Sequence, residues 1–360
     1  MNVYRICVYA ICKNEAVFVE RWLASMGEAD EIVVLDTGST DDTAQRLRDG
    51  GAQVKTAEVY PWRFDTARNL ALGLVPEDVD ICVCTDLDEV FHSGWRAQLE
   101  AAWTAQATRA RYRYTWSFRP EGGEGVVFWA EKIHARHGYR WVHPVHEVLE
   151  WVGPGAEGEA VTAWGVQLDH HPDSSKSRGQ YLPLLELSVQ EDPDDDRNWH
   201  YLGREYLYQG RWDDCIATLL HHLSLPRAVW PDERAASMRF LARAYWHKGA
   251  PEAARNWYLR AIAEAPHLRE AYVELAWLLY TLGAWEGVLY FTNCALAISQ
   301  RPQSYICEDA PWGSLPHDLQ AVAYAHTNRP AEALSAAERA LELEPGNARL
   351  LANVEALRKT

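Results

Sequence analysis

The segment Cys84-Thr85-Asp86-Leu87-Asp88-Glu89 ends an apolar run, and it offers the clearest chemistry in the sequence. In extended chain, residues two apart face the same side, so Asp86 and Asp88 are expected to present two carboxylates to one point with Leu87 packed behind. Hard divalent cations such as Mg2+ or Mn2+ take oxygen ligands, and in phosphate chemistry they keep positions for water and diphosphate. The pair is therefore a candidate metal clamp, and the competing reading is a solvated acidic loop. Upstream, Asp65 to Asn69 ("DTARN") opens a helix with a cation and polar groups that the helix itself does not need. Arg68 either makes a surface salt bridge with Asp65 or neutralises a diphosphate, which suits a guanidinium because it binds oxyanions as a bidentate fork.

Two more polar clusters follow apolar runs. Lys13-Asn14-Glu15 comes after the first, and Asp36 closes the second ahead of Thr37-Gly38-Ser39-Thr40-Asp41-Asp42. Gly38 permits the turn, Ser39 or Thr40 can cap the next helix, and Asp41 and Asp42 suit its positive end. Asp36 either belongs to that turn or hydrogen-bonds a base or ribose.

These residues need strands that end together. The run 3–12 reads as a strand, 15–26 as a helix, 31–36 as a buried strand, 41–48 as a helix, 52–59 as a strand, 65–74 as a helix and 79–84 as a strand. That alternation predicts a mainly parallel sheet covered by helices, with ligands at the C-terminal strand ends. Residues 111–151, rich in Tyr, Trp and Val, predict strands that close the site.

After Tyr181 a repeat replaces the strands. Gly203, Ala242, Ala276 and Ala321 are equivalent landmarks, and the 34 residues from Ala242 to Ala276 are the tetratricopeptide period, with intervals of 39 and 45 on either side. About four helix pairs are expected, with an insertion at 301–313, and stacked pairs of this kind form a concave groove for a peptide, a protein or a second subunit. Trp199, Tyr206, Tyr245 and Tyr272 are candidates for its inner face, although each also fits a packing position. The expected fold class is α/β plus all-α, with domains at 1–180 and 181–360.

The bulk properties agree with two folded domains: 360 residues, 48% of them hydrophobic and 24% charged. A formal charge of −16 argues against a nucleic-acid partner. Seven cysteines, an odd count without C-x-x-C spacing, together with an N-terminus expected to carry neither leader nor membrane span, point to a cytoplasmic protein.

Taken in order, "AICKNEAVFVERWLASMGEADEIVVLDTGSTDDT", "WRFDTARNLAL" and "DICVCTDLDEV" resemble the catalytic domain of family 2 glycosyltransferases. In particular the chain resembles the bacterial branch that joins this domain to tetratricopeptide repeats and includes S-glycosyltransferases of bacteriocin peptides. The resemblance implies a GT-A nucleotide-diphosphate-sugar transferase fold, a nucleotide-sugar donor (a UDP-sugar foremost), Mn2+ or Mg2+ on the D-x-D pair, and inversion at the anomeric carbon. It places Ala10, Lys13, Glu15 and Asp36 around the nucleoside, Arg68 beside the diphosphate, and Asp86 and Asp88 at ribose and metal. Thr37 stands where many members carry a second carboxylate that contacts the base. Trp141 to Glu147 resembles the family's acceptor-side "HE" segment, which makes Glu147 the candidate general base. Leu168-Asp169-His170-His171 with Lys176 and Arg178 resembles its closing segment, so His170 or His171 becomes a candidate third metal ligand. A peptide or protein acceptor and a homodimer through the repeats follow from the same resemblance. The alternatives are a saccharide or lipid acceptor, or a repeat-based binding protein with a degenerate catalytic domain.

Overall fold

The computed structural model describes residues 4–119, 122–173 and 179–359. The chain divides into two compact units, one running through Phe118 and including Val127–Ser188, the other comprising Arg119–Val126 and the chain from Val189 onward. Lys176 and Arg178 lie outside the described residues.

In the first unit every side chain of β1 (Ile6–Cys12) is buried. An uninterrupted apolar run is what a parallel strand covered on both faces requires. Strand alternation sends Ile6, Val8 and Ala10 into a core with Trp22 and Met26 of α1 (Val19–Met26), and Cys7, Tyr9 and Ile11 into another with Ala67 and Ala71 of α3 (Phe64–Leu72). β2 (Glu31–Asp36), α2 (Thr43–Asp49), β3 (Gln53–Thr56) and β4 (Ile81–Thr85) complete this half. β2 has the bounds the sequence suggested and the other segments are shorter, most of all α1, which begins at Val19 after a turn over 15–18, and β3, which ends at Thr56.

The remaining strands are β5 (Glu89–Phe91), then, after α4 (Trp95–Ala102), β6 (Ala107–Thr115), β7 (Val127–Ala135), β8 (Tyr139–Val142), β9 (Val148–Trp151) and β10 (Glu159–His170). The eight-stranded sheet has the order β3-β2-β1-β4-β7-β6-β10-β5. It is mixed rather than mainly parallel: β3, β2, β1 and β4 run parallel, whereas β7 is antiparallel to both β4 and β6. Helical crossovers give parallel neighbours and hairpins give antiparallel ones, and in the Tyr- and Trp-rich stretch β6 pairs with β7 and β8 with β9 in this way. Between β1 and β4 the order reverses, and ligand crevices open at such a switch point, beyond the strand ends.

In the second unit, four helix pairs follow α5 (Tyr181–Glu191), within which the division between the units falls. They are α6 (Asp196–Tyr208) with α7 (Trp212–Ser224), α8 (Pro231–His247) with α9 (Pro251–Glu264), α10 (Arg269–Thr281) with α11 (Trp285–Ala297), and α12 (Leu315–His326) with α13 (Pro330–Leu343). α14 (Ala348–Leu357) follows, and among the described residues no helix is long and apolar enough to cross a membrane. Three of the turns within pairs place a glycine at positive φ, Gly210, Gly249 and Gly283, and the fourth uses Asn328 at φ 58°. Asparagine is the side-chain-bearing residue that best tolerates this conformation, which keeps the fourth turn equivalent without a glycine.

Gly203 shows why small residues mark the repeat. A Cβ added there would lie 2.5 Å from Cγ of the fully buried Leu219, across the α6–α7 contact. Gly203→Ala is expected to destabilise the protein by about 1–3 kcal/mol through overpacking, read by urea denaturation. A change under about 0.5 kcal/mol would mean that Leu219 swings aside.

Candidate active site at the strand ends

Parallel pairing puts Cys12 opposite Asp36 and Ala10 opposite Thr85, so the segments starting at Lys13, Thr37 and Asp86 leave the sheet along one edge. The first two lock together. Asn14, in left-handed conformation at φ 54°, donates its N–H to Ser39 Oγ at 2.9 Å, and its Oδ1 accepts from Thr40 N at 2.7 Å. Asp36 Oδ1 accepts from Ser39 N at 3.0 Å, so this carboxylate organises its own turn. Ser39 and Thr40 therefore serve Asn14, and it is Asp41 that caps Thr43 N at 3.0 Å. The buried Glu15 takes its place by donating its N–H to Thr43 Oγ1 at 2.8 Å, while Lys13 is exposed. Ala10 does not reach the crevice with its side chain, since alternation turns it into the core beside Trp22, fully buried.

The D-x-D segment is not extended. It forms a turn in which Glu89 N donates to Asp86 O at 3.1 Å and Asp86 N donates to Glu89 Oε2 at 3.0 Å. The two aspartates consequently serve different partners. Arg68 Nη2 donates to Asp86 Oδ1 and Oδ2 at 2.9 and 3.1 Å, and Lys132 Nζ donates to Asp86 Oδ2 at 3.1 Å. Asp88 Oδ2 instead faces His170 Nε2 at 3.4 Å. No three-ligand set forms around Asp86, Asp88 and His170: among the described residues, the group whose metal-ligating atoms lie within 4.8 Å of one another is Asp196, His222 and Glu233, in the second unit.

Arg68 does not pair with Asp65, which is held by Arg63 at 2.8 Å. It is buried in the interior of the cluster, where Nε binds Glu147, Nη2 binds Asp86 and Nη1 approaches Cys84 Sγ at 3.2 Å. Its neighbour Asn69 explains the rest of "DTARN". The Asn69 amide donates to Trp141 O and accepts from Trp141 N, both at 2.8 Å, and so anchors β8 against α3. Trp141 in turn lies 5.2 Å from the Arg68 guanidinium and donates Nε1–H to Tyr9 Oη at 2.7 Å. Glu147 is presented by the loop after this anchored strand, in which His143 and His146 adopt φ 76° and 53°. Left-handed backbone at non-glycine residues is costly and clusters at functional loops.

Lys132 and Glu89 belong to the same network. Lys132 Nζ donates to Glu89 Oε1 at 2.7 Å, and Tyr114 Oη donates to the same oxygen at 2.7 Å. Burial opposes charge on Asp86, yet Arg68 and Lys132 outweigh it and hold the carboxyl well below the usual range. Glu89 moves upward, chiefly through burial. Burial also opposes charge on Lys132 and Arg68, but the surrounding carboxylates overcome it and raise both.

Of the adjacent histidines, His170 faces Asp88. Its Nδ1 is tied to Trp116 O at 2.9 Å and its ring stacks on Trp116 with centroids 4.3 Å apart. Burial lowers its pKa, but Asp88 more than offsets this and the net shift is upward. The His171 ring stacks on Phe118 instead, at 5.3 Å.

In the second unit the inserted segment lies along the first helices of successive pairs. Tyr305 donates to Glu233 of α8, Glu308 binds Arg243 of α8 at 2.8 Å, and Trp312 Nε1 donates to Glu270 of α10 at 3.0 Å. Helices α8 and α10 thus already carry a piece of the chain itself. Tyr206, a candidate for the groove's inner face, is buried under Arg211 at 4.3 Å.

A scan against protein-family models gave no match, and a search of curated proteins found none similar. Solved structures similar to the helical array include MamA, at 20% identity and TM-score 0.38, covering 47% of this chain and 89% of that one. A tetratricopeptide protein of Thermus thermophilus gives 19% identity and TM-score 0.37 over 50% of this chain and 89% of its own. YrrB, a tetratricopeptide protein with an unusual peptide-binding site, gives 16% identity and TM-score 0.36 over 48% of this chain and 81% of its own.

Proposed function

We propose that the chain is a GT-A glycosyltransferase that moves a sugar, with inversion, from a nucleotide-diphosphate donor to an acceptor. A UDP-sugar is the donor we assign, and a thiol or hydroxyl of a peptide or protein the acceptor. The observation that carries this reading is the cluster at the β1–β4 switch point, where Asp86 and Asp88 stand at the end of β4 and Asp86 is paired with two cations, the buried Arg68 and the half-buried Lys132.

The donor set is tested by its chemistry. Asp88 and His170 offer a carboxylate oxygen and an imidazole nitrogen 3.4 Å apart, and the other imidazole nitrogen is fixed by a backbone carbonyl, the arrangement that orients metal-binding histidines. These two residues fit a divalent ion, whereas Asp86 is committed to Arg68 and Lys132. When bound, Mn2+ or Mg2+ supplies positive charge to the departing diphosphate. Lys132 stands beside Asp86 as a second cationic group, which the sequence reading did not include. Arg68 fixes Asp86 and Glu147 on a single guanidinium, and so sets the spacing between the donor side and the carboxylate assigned to the acceptor proton.

The helical array favours a second reading, a repeat protein that binds a polypeptide while the α/β unit is inactive. One experiment separates the two. Full-length protein is incubated with UDP- and GDP-sugars, with and without Mn2+, and assayed for nucleotide release and for mass-spectrometric transfer to peptide and saccharide panels. Mn2+-dependent release from one donor with added mass on a peptide supports the transferase. Peptide binding with no turnover of any donor supports the binding protein, and saccharide-only transfer removes the peptide acceptor. Light scattering tests the homodimer that belongs to the same proposal.

A further inference from the structure

The second unit contains a cluster that the proposed transfer does not use. Asp196 lies in the first turn of α6, His222 in the last turns of α7 and Glu233 in the first turn of α8, so three consecutive helices bring one ligand each to the same end of the array. Their ligating atoms lie within 4.8 Å of one another, and His222 Nε2 is 3.5 Å from Glu233 Oε1. Ligand atoms around a tetrahedral ion with bonds near ~2.1 Å are about 3.4 Å apart, so little movement closes the set.

The cluster differs from an ordinary acidic patch in its histidine. His222 is fully buried; its Nε2 faces Glu233 Oε1, and its Nδ1 has no hydrogen-bond partner. An imidazole nitrogen left unsatisfied inside a protein is costly. Glu233, also buried, has its other oxygen held by the hydroxyl of Tyr305, which fixes the carboxylate and turns Oε1 toward His222. Asp196 is half-buried and gives the cluster a side open to solvent.

We propose that Asp196, His222 and Glu233 form a site for a divalent transition-metal ion of the Zn2+ class, clipping α6, α7 and α8 together with a fourth position open to solvent. One imidazole and two carboxylates make a borderline donor set, which selects Zn2+ or its first-row neighbours over Ca2+. Tyr305 is a positioning residue, and through it the inserted segment is tied to the site.

The test uses full-length protein stripped with EDTA and then titrated with Co2+ under visible spectroscopy, with Zn2+ competition and elemental analysis for stoichiometry. It is run in the Asp88→Ala background so that ions at the strand-end turn do not contribute. The expected result is one equivalent of Co2+ with ligand-field bands that Zn2+ abolishes. Asp196→Asn and Glu233→Gln lose the bands. Tyr305→Phe, which keeps all three ligands, weakens binding about 10–100-fold, as loss of a ligand-orienting hydrogen bond does. Circular dichroism confirms that each variant is folded, and Tyr305→Phe carries the test if a ligand variant is not. The assignment is overturned if the Asp88→Ala protein binds no Co2+, or if the spectrum and affinity are unchanged in Asp196→Asn and Tyr305→Phe.

Discussion

Asp88→Ala is expected to lower sugar transfer by at least about 100-fold, equivalent to about 2.7 kcal/mol of transition-state stabilisation, while leaving the fold in place. The side chain is 15% exposed and touches His170, whose ring remains fixed by Trp116 O and by stacking on Trp116. Its removal therefore costs about 1 kcal/mol of stability or less. Asp86, by contrast, sits in the charge network and cannot be removed without disturbing Arg68 and Lys132, which makes Asp88 the cleaner probe. The measurement is nucleotide release and product mass with Mn2+ present, alongside thermal melts of both proteins. Activity that persists undiminished in EDTA, or an Asp88→Ala enzyme within threefold of the parent, would remove the metal from the reading.

The parts of the site that the sequence made legible were those set by local pattern. A fully apolar β1, a polar break after it, and carboxylates at the ends of β2 and β4 follow from residues close in the chain, and strand register then brought them to one edge. The repeat was legible for the same reason, since Gly210, Gly249 and Gly283 mark turns that recur with the helices. What escaped the reading was decided by long-range pairing. Lys132 comes from β7, 46 residues beyond Asp86, and nothing in the alternation of that strand singles it out. Asp65 is the close sequence neighbour of Arg68, but Arg63 neutralises Asp65 and leaves Arg68 to partners 18 and 79 residues away. Asp86 and Asp88 diverge because Glu89 folds back to cap the Asp86 amide, which turns an expected strand into a tight bend. The insertion was visible as an irregular interval, yet its packing along α8 and α10 depends on Glu308 and Trp312 finding Arg243 and Glu270, partners that no periodicity reveals.

Arg68→Ala is expected to lower stability by about 3 kcal/mol at pH 7, because it strands Glu147. The Arg68 side chain is 5% exposed and that of Glu147 is 11% exposed, so the remaining carboxylate has little water to replace its partner. Asp86 suffers less, since it is about a third exposed and keeps Lys132. For a unit of this size the loss corresponds to a fall in melting temperature of about 6–12 °C. Its pH dependence follows from the sign of the Asp86 shift. The folded-state pKa lies well below the ordinary aspartate value, so this pairing contributes stability above about pH 4 and loses it as acid protonates the carboxyl. The gap between parent and variant should therefore be widest near neutral pH and narrow below about pH 4, measured by urea denaturation at pH 7 and pH 3.5. A gap under 1 kcal/mol at pH 7 would show that Glu147 rotates to solvent when released. Calorimetry on the same variant separates positioning from direct contact. If Arg68 reaches the diphosphate, nucleoside diphosphate binding weakens by about 1.5–3 kcal/mol while nucleoside binding is unchanged. If it acts only by fixing Asp86 and Glu147, the two ligands lose affinity equally, and Lys132 is left as the cation that meets the leaving group.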